Sequence, residues 1–443
     1  MLPSIHHLKP ELRAVETTFG EASFPLPFKE TLEYSSPARG VWNIVHTGFL
    51  VPEAHQIFVC ASGCLRGVVL TATEMNAMDR FHSILLTEED LLNGTLEELI
   101  LDGVADILRK LPKHPPAILL FTACIHHFAG CDLPYVYDEL RRRFPDIDFT
   151  DCYMNPILRK SGLTPDQLMR EQLYSLLLPR EKKENLAVLL GSDFALDEDS
   201  ELRELFRSAG WELRSIQDCR SYEEYLRLAE ASLFVSIYPS AKAGAKKLAE
   251  RLHTPHLHLP LSFSYDRIHE ELGRLAKELH TALPNEEKRQ LTCEKRFRAL
   301  YDLIGDFPIA LDYTAYPAPL SLARFLLERG FHVTTVYADT LAPSEEEDFL
   351  WIREHRPSVR LLPTVHPSMR FAAPPIRNDI LAIGQKAAHF SGTEHFVNIA
   401  EGGGAFGYSA LLHLADAMED AYHTTKDMER LIQQKGFLCE TCL

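Results

Sequence analysis

The chain has 443 residues, 46% of them apolar and 25% charged, and carries a net charge of −17. This length predicts about three compact units, and the composition excludes a wholly disordered or collagen-like chain. A chain this acidic repels a phosphate backbone, so nucleic acid is not a predicted partner.

From the amino end, MLPSIHHLKPELR carries no apolar core of a secretory signal. Apolar runs such as Ala117–Phe121 are too short to span a bilayer. A cytoplasmic location and no membrane partner are therefore expected. Strand-like apolar runs follow at Ala117–Ala123, Leu186–Leu190, Ser232–Ile237, Ile309–Tyr313, Val333–Tyr337, Val359–Leu362 and Ile380–Ile383. Between them lies helical periodicity. Leu202, Leu205, Phe206 and Ala209 share one face and stop at Gly210, and Leu322, Phe325 and Leu326 repeat the pattern up to Gly330. The basic stretches Glu139–Phe144 and Glu286–Arg298 interleave acids and apolar residues at the same spacing and read as solvated helix faces. Short buried strands separated by helices imply βαβ units with parallel sheets. We read three such blocks: residues 1–180, 181–300, and 301–443 with a Gly-rich segment and a helical tail.

No phosphate-binding loop of the G-x-x-x-x-G-K-[ST] type is present in the sequence, so no ATP site is expected in this chain. Gly402, Gly403 and Gly404 precede a helix bearing Leu411, Leu414, Ala415 and Met418. Such glycines can admit an anion or bulky cofactor at a helix start, or simply form a turn that needs positive φ.

The nine cysteines are odd in number and lack a secretory context, which argues against a disulfide framework. Cys60 and Cys64 lie in VCASGCLRG, and Cys124 and Cys131 in CIHHFAGC, directly after a predicted strand. Ligands of α/β sheets sit at that end of a strand. Four thiolates from two loops could hold zinc or an iron–sulfur cluster. Their spacing is not that of a zinc ribbon and favours the cluster, while free buried thiols are the alternative. His126 and His127 lie between two of these candidates. His253, His256 and His258 read as strand and turn residues rather than metal ligands. Arg66 and Arg80 could position an anionic group. Cys152, Cys219 and Cys293 read as isolated thiols, and Cys439 and Cys442 form a CxxC near the end.

These residues resemble the nitrogenase component 1 superfamily, which includes the dark-operative protochlorophyllide reductase catalytic subunits. Cys64 matches the cysteine of the family's H-G-x-x-G-C turn, and Cys124 opens a segment similar to the family's C-x-G-L-I-G-D-D-I. Asp90–Ile100 is similar to the helix before that strand, Asp312–Ala338 to the third domain's strand–helix–strand, and Asn398–Met418 to the Gly-rich segment and last helix. The family's first cluster cysteine has no counterpart: Gly40–Gly48 offers His46 but no thiol, and Cys60 and Cys131 stand as replacement ligands. Ser236–Ser240 stands where the catalytic cofactor's cysteine would fall, and Phe406 is nearest its histidine, which argues against dinitrogen reduction by this chain alone.

The resemblance implies three Rossmann-like α/β domains with parallel sheets around a central cleft. It implies an iron–sulfur cluster, [4Fe–4S] or a larger P-cluster-like one, at Cys60, Cys64, Cys124 and Cys131. It further implies a nitrogenase-like oxidoreductase that takes low-potential electrons from an ATP-dependent homodimeric iron–sulfur reductase. Its own assembly would be a homodimer or a heterodimer with a related subunit, and its substrate a small molecule. A scaffold that matures a metallocluster or tetrapyrrole, and a non-redox zinc protein, are the alternatives.

Overall fold

The computed structural model describes residues 15–29, 44–154, 162–283, 285–371, 378–428 and 430–431. Fourteen strands are present among them, in chain order β1 (Thr17–Thr18), β2 (His55–Cys60), β3 (Phe81–Leu85), β4 (Ala117–Ala123), β5 (Asp148–Met154), β6 (Leu186–Leu190), β7 (Glu212–Ser215), β8 (Leu233–Ser236), β9 (His256–His258), β10 (Ile309–Asp312), β11 (Val333–Tyr337), β12 (Arg360–Leu362), β13 (Leu381–Ile383) and β14 (Phe396–Val397). They form three sheets in the orders β3-β2-β4-β5, β7-β6-β8-β9 and β1-β12-β11-β10-β13-β14. Every pairing is parallel except β1 on β12. This is the α/β fold with Rossmann-like parallel sheets that the sequence pattern leads one to expect.

By internal contacts the chain divides into two compact units. One contains the first and second sheets. The other contains the third sheet together with the excursion Leu196–Leu205.

In the first sheet the pleat sends alternate residues to opposite faces. Phe58, Phe121 and Ala123 enter one core with the helices Ile44–Phe49, Ser62–Glu74 and Pro165–Ser175. Ile57, Val59, Ile118 and Leu120 enter another, against the helices Leu96–Lys110 and Leu133–Arg143. Because both faces are buried, β4 reads as the unbroken apolar run AILLFTA, buried at every position. Phe58 stacks on Phe121 with ring centroids 4.2 Å apart. In the second sheet β6 and β8 are likewise buried throughout. No helix among the described residues is long and apolar enough to cross a membrane.

Candidate metal centre

At the carboxyl edge of the first sheet, β2 ends at Cys60 and the chain turns at Ala61 into the helix Ser62–Glu74. Cys64 lies in that helix's first turn, its N–H donating to the Ala61 carbonyl at 2.9 Å, and its side chain is exposed. Gly63 and Gly67 beside it face open space. On the neighbouring strand, β4 ends at Ala123, and Cys124, half-buried, begins the helix Cys124–Phe128. Val59 pairs with Thr122, so both helices leave adjacent parallel strands at the same level. The fold thereby presents two accessible thiols, Cys64 and Cys124, at one sheet edge. Leu85 at the end of β3 and Phe128 beyond Cys124 are exposed large apolar side chains at this edge, 52% and 72% accessible.

The other two predicted ligands are placed differently. Cys60 is fully buried, on the Phe58 face of the sheet. Burial, reinforced by the nearby Cys64, pushes its pKa up to about 12 and keeps it a thiol. Cys131 packs against the core on the opposite face. Its pKa is also pushed up to about 12, first by burial and then by the charge of Glu97, to whose carboxylate its S–H donates. Glu97 accepts the Asp132 N–H at 2.6 Å as well, and that bond holds its pKa below the ordinary value. No three of these sulfurs lie within 4.8 Å of one another, whereas one tetrahedral zinc holds its sulfurs ~3.8 Å apart. A multi-iron cluster spans more widely separated thiolates.

His126 is completely buried between these elements. Its Nδ1 lies 3.1 Å from both the N–H and the carbonyl oxygen of Ala123, and its Nε2 has no hydrogen-bond partner. Burial lowers its pKa, so the ring is neutral. A buried ring nitrogen without a partner two residues from Cys124 suits a place beside a polar group. The donor chemistry thus fits an iron–sulfur group at Cys64 and Cys124. His127 instead lies against Tyr153, centroids 5.7 Å apart. Arg80 donates to the carbonyls of Phe49, Val51 and Ala54 and serves the backbone rather than an anion, whereas Arg66 is exposed.

Gly402, Gly403 and Gly404 form a tight turn with φ of 73°, 58° and 92°. The Gly402 N–H donates to the Ala315 carbonyl at 2.7 Å, and the Glu401 N–H to that of Thr314 at 2.8 Å. The helix that follows, Gly407–His423, already has an anion at its start. Glu201 accepts the Ser409 N–H at 3.2 Å and pairs with Arg289 at 2.6 Å. Gly407, at φ 79°, has no room for a Cβ, which would collide with that carboxylate. Positive φ and an internal carboxylate account for these glycines.

Sequence reasoning missed Glu201, which carries no local motif, and Lys386. The latter is 1% exposed at the start of the helix Gln385–Ser391, donating to Tyr313 Oη at 3.0 Å and Thr364 Oγ1 at 2.9 Å. Nearby, Asp312 accepts the Ala387 N–H at 2.7 Å and the Thr314 N–H at 2.8 Å. Cys152 and Cys293 are buried and Cys219 half-buried, all free. Cys439 and Cys442 lie outside the described residues.

A family model described as nitrogenase component 1 type oxidoreductase matches residues 47–421. Among solved structures, "Nitrogenase Cp1 at pH 6.5" is similar with a TM-score of 0.65 at 14% identity, covering 89% of this chain and 94% of that one. "Nitrogenase Cp1 at pH 5" is similar with a TM-score of 0.57 at 12% identity, covering 91% and 94%. At such identities the likeness shows the fold alone. No curated protein matches this chain.

Proposed function

We propose, because this chain belongs to the nitrogenase component 1 type oxidoreductase family, that it is the electron-accepting component of a two-component reductase. Its electrons would come from a separate ATP-hydrolysing iron–sulfur protein, and a small molecule would be reduced. The absence of a phosphate-binding loop from the sequence agrees with ATP being used by that partner. A cluster held here would supply low-potential one-electron storage.

One observation carries the reading: two accessible thiols at the ends of adjacent parallel strands, inside the region matched to the family. Cys64 and Cys124 are assigned as ligands. For one chain to supply four thiolates, Cys60 would have to leave its core and Cys131 its bond to Glu97. A second subunit completing the shell asks for neither movement, and the exposed Leu85 and Phe128 suit such a contact. We therefore favour a dimer, with a copy of this chain or a related one, and a cluster at its interface. In the dry environment of an interface, hydrogen bonds to sulfur set the potential, and the buried His126 Nε2, which has no partner, is a candidate for such a bond. The cytoplasm, where thiols stay reduced, is the proposed location.

Anaerobic purification followed by iron, sulfide and zinc analysis and EPR of the dithionite-reduced protein tests the reading. A brown dimer with stoichiometric iron and sulfide and a reducible signal is expected. Colourless protein carrying one zinc per chain and no sulfide contradicts it.

A further inference from the structure

A second group of ligating side chains stands at the carboxyl edge of the second sheet. The last residue of β8, Ser236, pairs in parallel register with His258 of β9. His256, two residues earlier, shares the same face of the sheet. The buried Ser236 Oγ lies 2.9 Å from His256 Nε2 and 2.9 Å from His258 Nδ1. Two imidazoles on one strand thus aim ring nitrogens at a single point, while both rings remain half-buried and within reach of solvent.

We propose that His256 and His258 form a mononuclear binding site for a divalent transition metal, with Ser236 as its inner cap. This site is independent of the cluster assigned above and shares no residue with it. The chemistry follows from the donors. Neutral imidazole is a good ligand for Zn(II), Co(II), Ni(II), Cu(II) and Fe(II), and two on one face give a chelate. The hydrogen bonds to Ser236 Oγ hold each ring with its ligand nitrogen facing inward. Rotation of the Ser236 hydroxyl would let a cation replace its proton between the two nitrogens. Lys242, on the helix Pro239–Leu252 that packs on β8 and β9, lies close enough to act on His256. Its charge opposes a bare dication at this point. The favoured occupant is therefore a metal whose remaining positions carry an anionic ligand, such as hydroxide or a carboxylate. The backbone holds the site firmly, since the Leu259 N–H donates to the Ser236 carbonyl at 2.8 Å.

Co(II) is the probe, titrated anaerobically into the full chain carrying Cys64→Ala and Cys124→Ala, so that those thiols do not compete. One equivalent with the visible d–d absorption of a nitrogen- and oxygen-ligated four-coordinate ion is expected. His256→Gln and His258→Gln should each weaken that equivalent more than about 10-fold, with an unchanged melting temperature in the absence of metal. Ser236→Ala should keep it within about 10-fold. Pulsed EPR of the Cu(II)-loaded parent, which needs no further variant to fold, should show two coupled imidazole nitrogens. A parent that takes up no Co(II), both glutamine variants binding as the parent does, or fewer than two coupled nitrogens would each overturn the proposal.

Discussion

The carboxyl edges of the first and third sheets make an instructive pair. At the third sheet, polar side chains are buried and satisfied internally. Asp312 is bonded by Ala387 and Thr314, Lys386 by Tyr313 and Thr364, and the start of the helix Gly407–His423 by Glu201. At the first sheet, Cys64 and Cys124 stand accessible, and the His126 Nε2 is unsatisfied. Unmade polar contacts in a folded protein are costly. A closed network is therefore architecture, and an open one beside two thiols is where we propose that the cluster binds.

Substitutions can break this contrast. The largest effect is expected for Asp312→Ala, which strands buried N–H donors of Thr314, Ala315 and Ala387 and leaves Lys386 without its nearby charge. A loss of ~3–5 kcal/mol in denaturant unfolding is expected; a loss below about 1 kcal/mol would mean that the third-sheet network is not architectural. Gly407→Ala forces a side chain into left-handed backbone and against Glu201, so a loss of about 1–3 kcal/mol is expected, read as a lower melting temperature.

The third-sheet unit also holds a carboxyl group whose titration sharpens the comparison. Glu345 is buried at the start of the helix Pro319–Glu328, where burial pushes its pKa up to about 8 from the ordinary 4.5. The folded state therefore binds this proton more tightly than the unfolded state. Its stabilising contribution is complete below pH 4.5 and is lost as pH rises towards 8. Glu345→Gln should remove that slope, raising the melting temperature at pH 8 relative to wild type more than at pH 4. Equal shifts at the two values would contradict the assignment. The smallest stability effects belong to the open edge. Cys64→Ala and Cys124→Ala in the metal-free protein should each stay within about 0.5 kcal/mol of wild type by chemical denaturation. A larger loss at either position would mean that its thiol holds the fold together.

The sequence made some of this legible and hid the rest for physical reasons. Strands β4, β6 and β11 match the predicted runs at both ends, and in β4 and β6 burial of both faces writes a largely apolar word. β2 opens with His55 and Gln56 and β5 is DFTDCYM, so polar residues interrupt the pattern and neither strand was predicted, whereas His256–His258 was read among strand and turn residues. Cys124 was found because it follows a predicted strand, and Cys64 because it clusters with Cys60 in a turn similar to the family's. That Cys60 is buried on the Phe58 face follows from the pleat of β2, which went unseen, and Cys131 reaches the opposite core through tertiary packing that its local sequence does not mark. The Gly402–Gly404 turn was readable as a positive-φ turn. Its neighbour Glu201 lies about two hundred residues earlier, and nothing local marks it as a cap. Ser236 meets His256 and His258 only through strand register, which a single sequence does not display.

The most direct test of the central claim compares iron and sulfide per chain in two anaerobically purified double variants. If the accessible pair at the first-sheet edge holds the cluster, Cys64→Ala with Cys124→Ala should abolish both, while Cys60→Ala with Cys131→Ala should retain them at the wild-type level. The reverse pattern, or wild-type iron in both, would contradict the account.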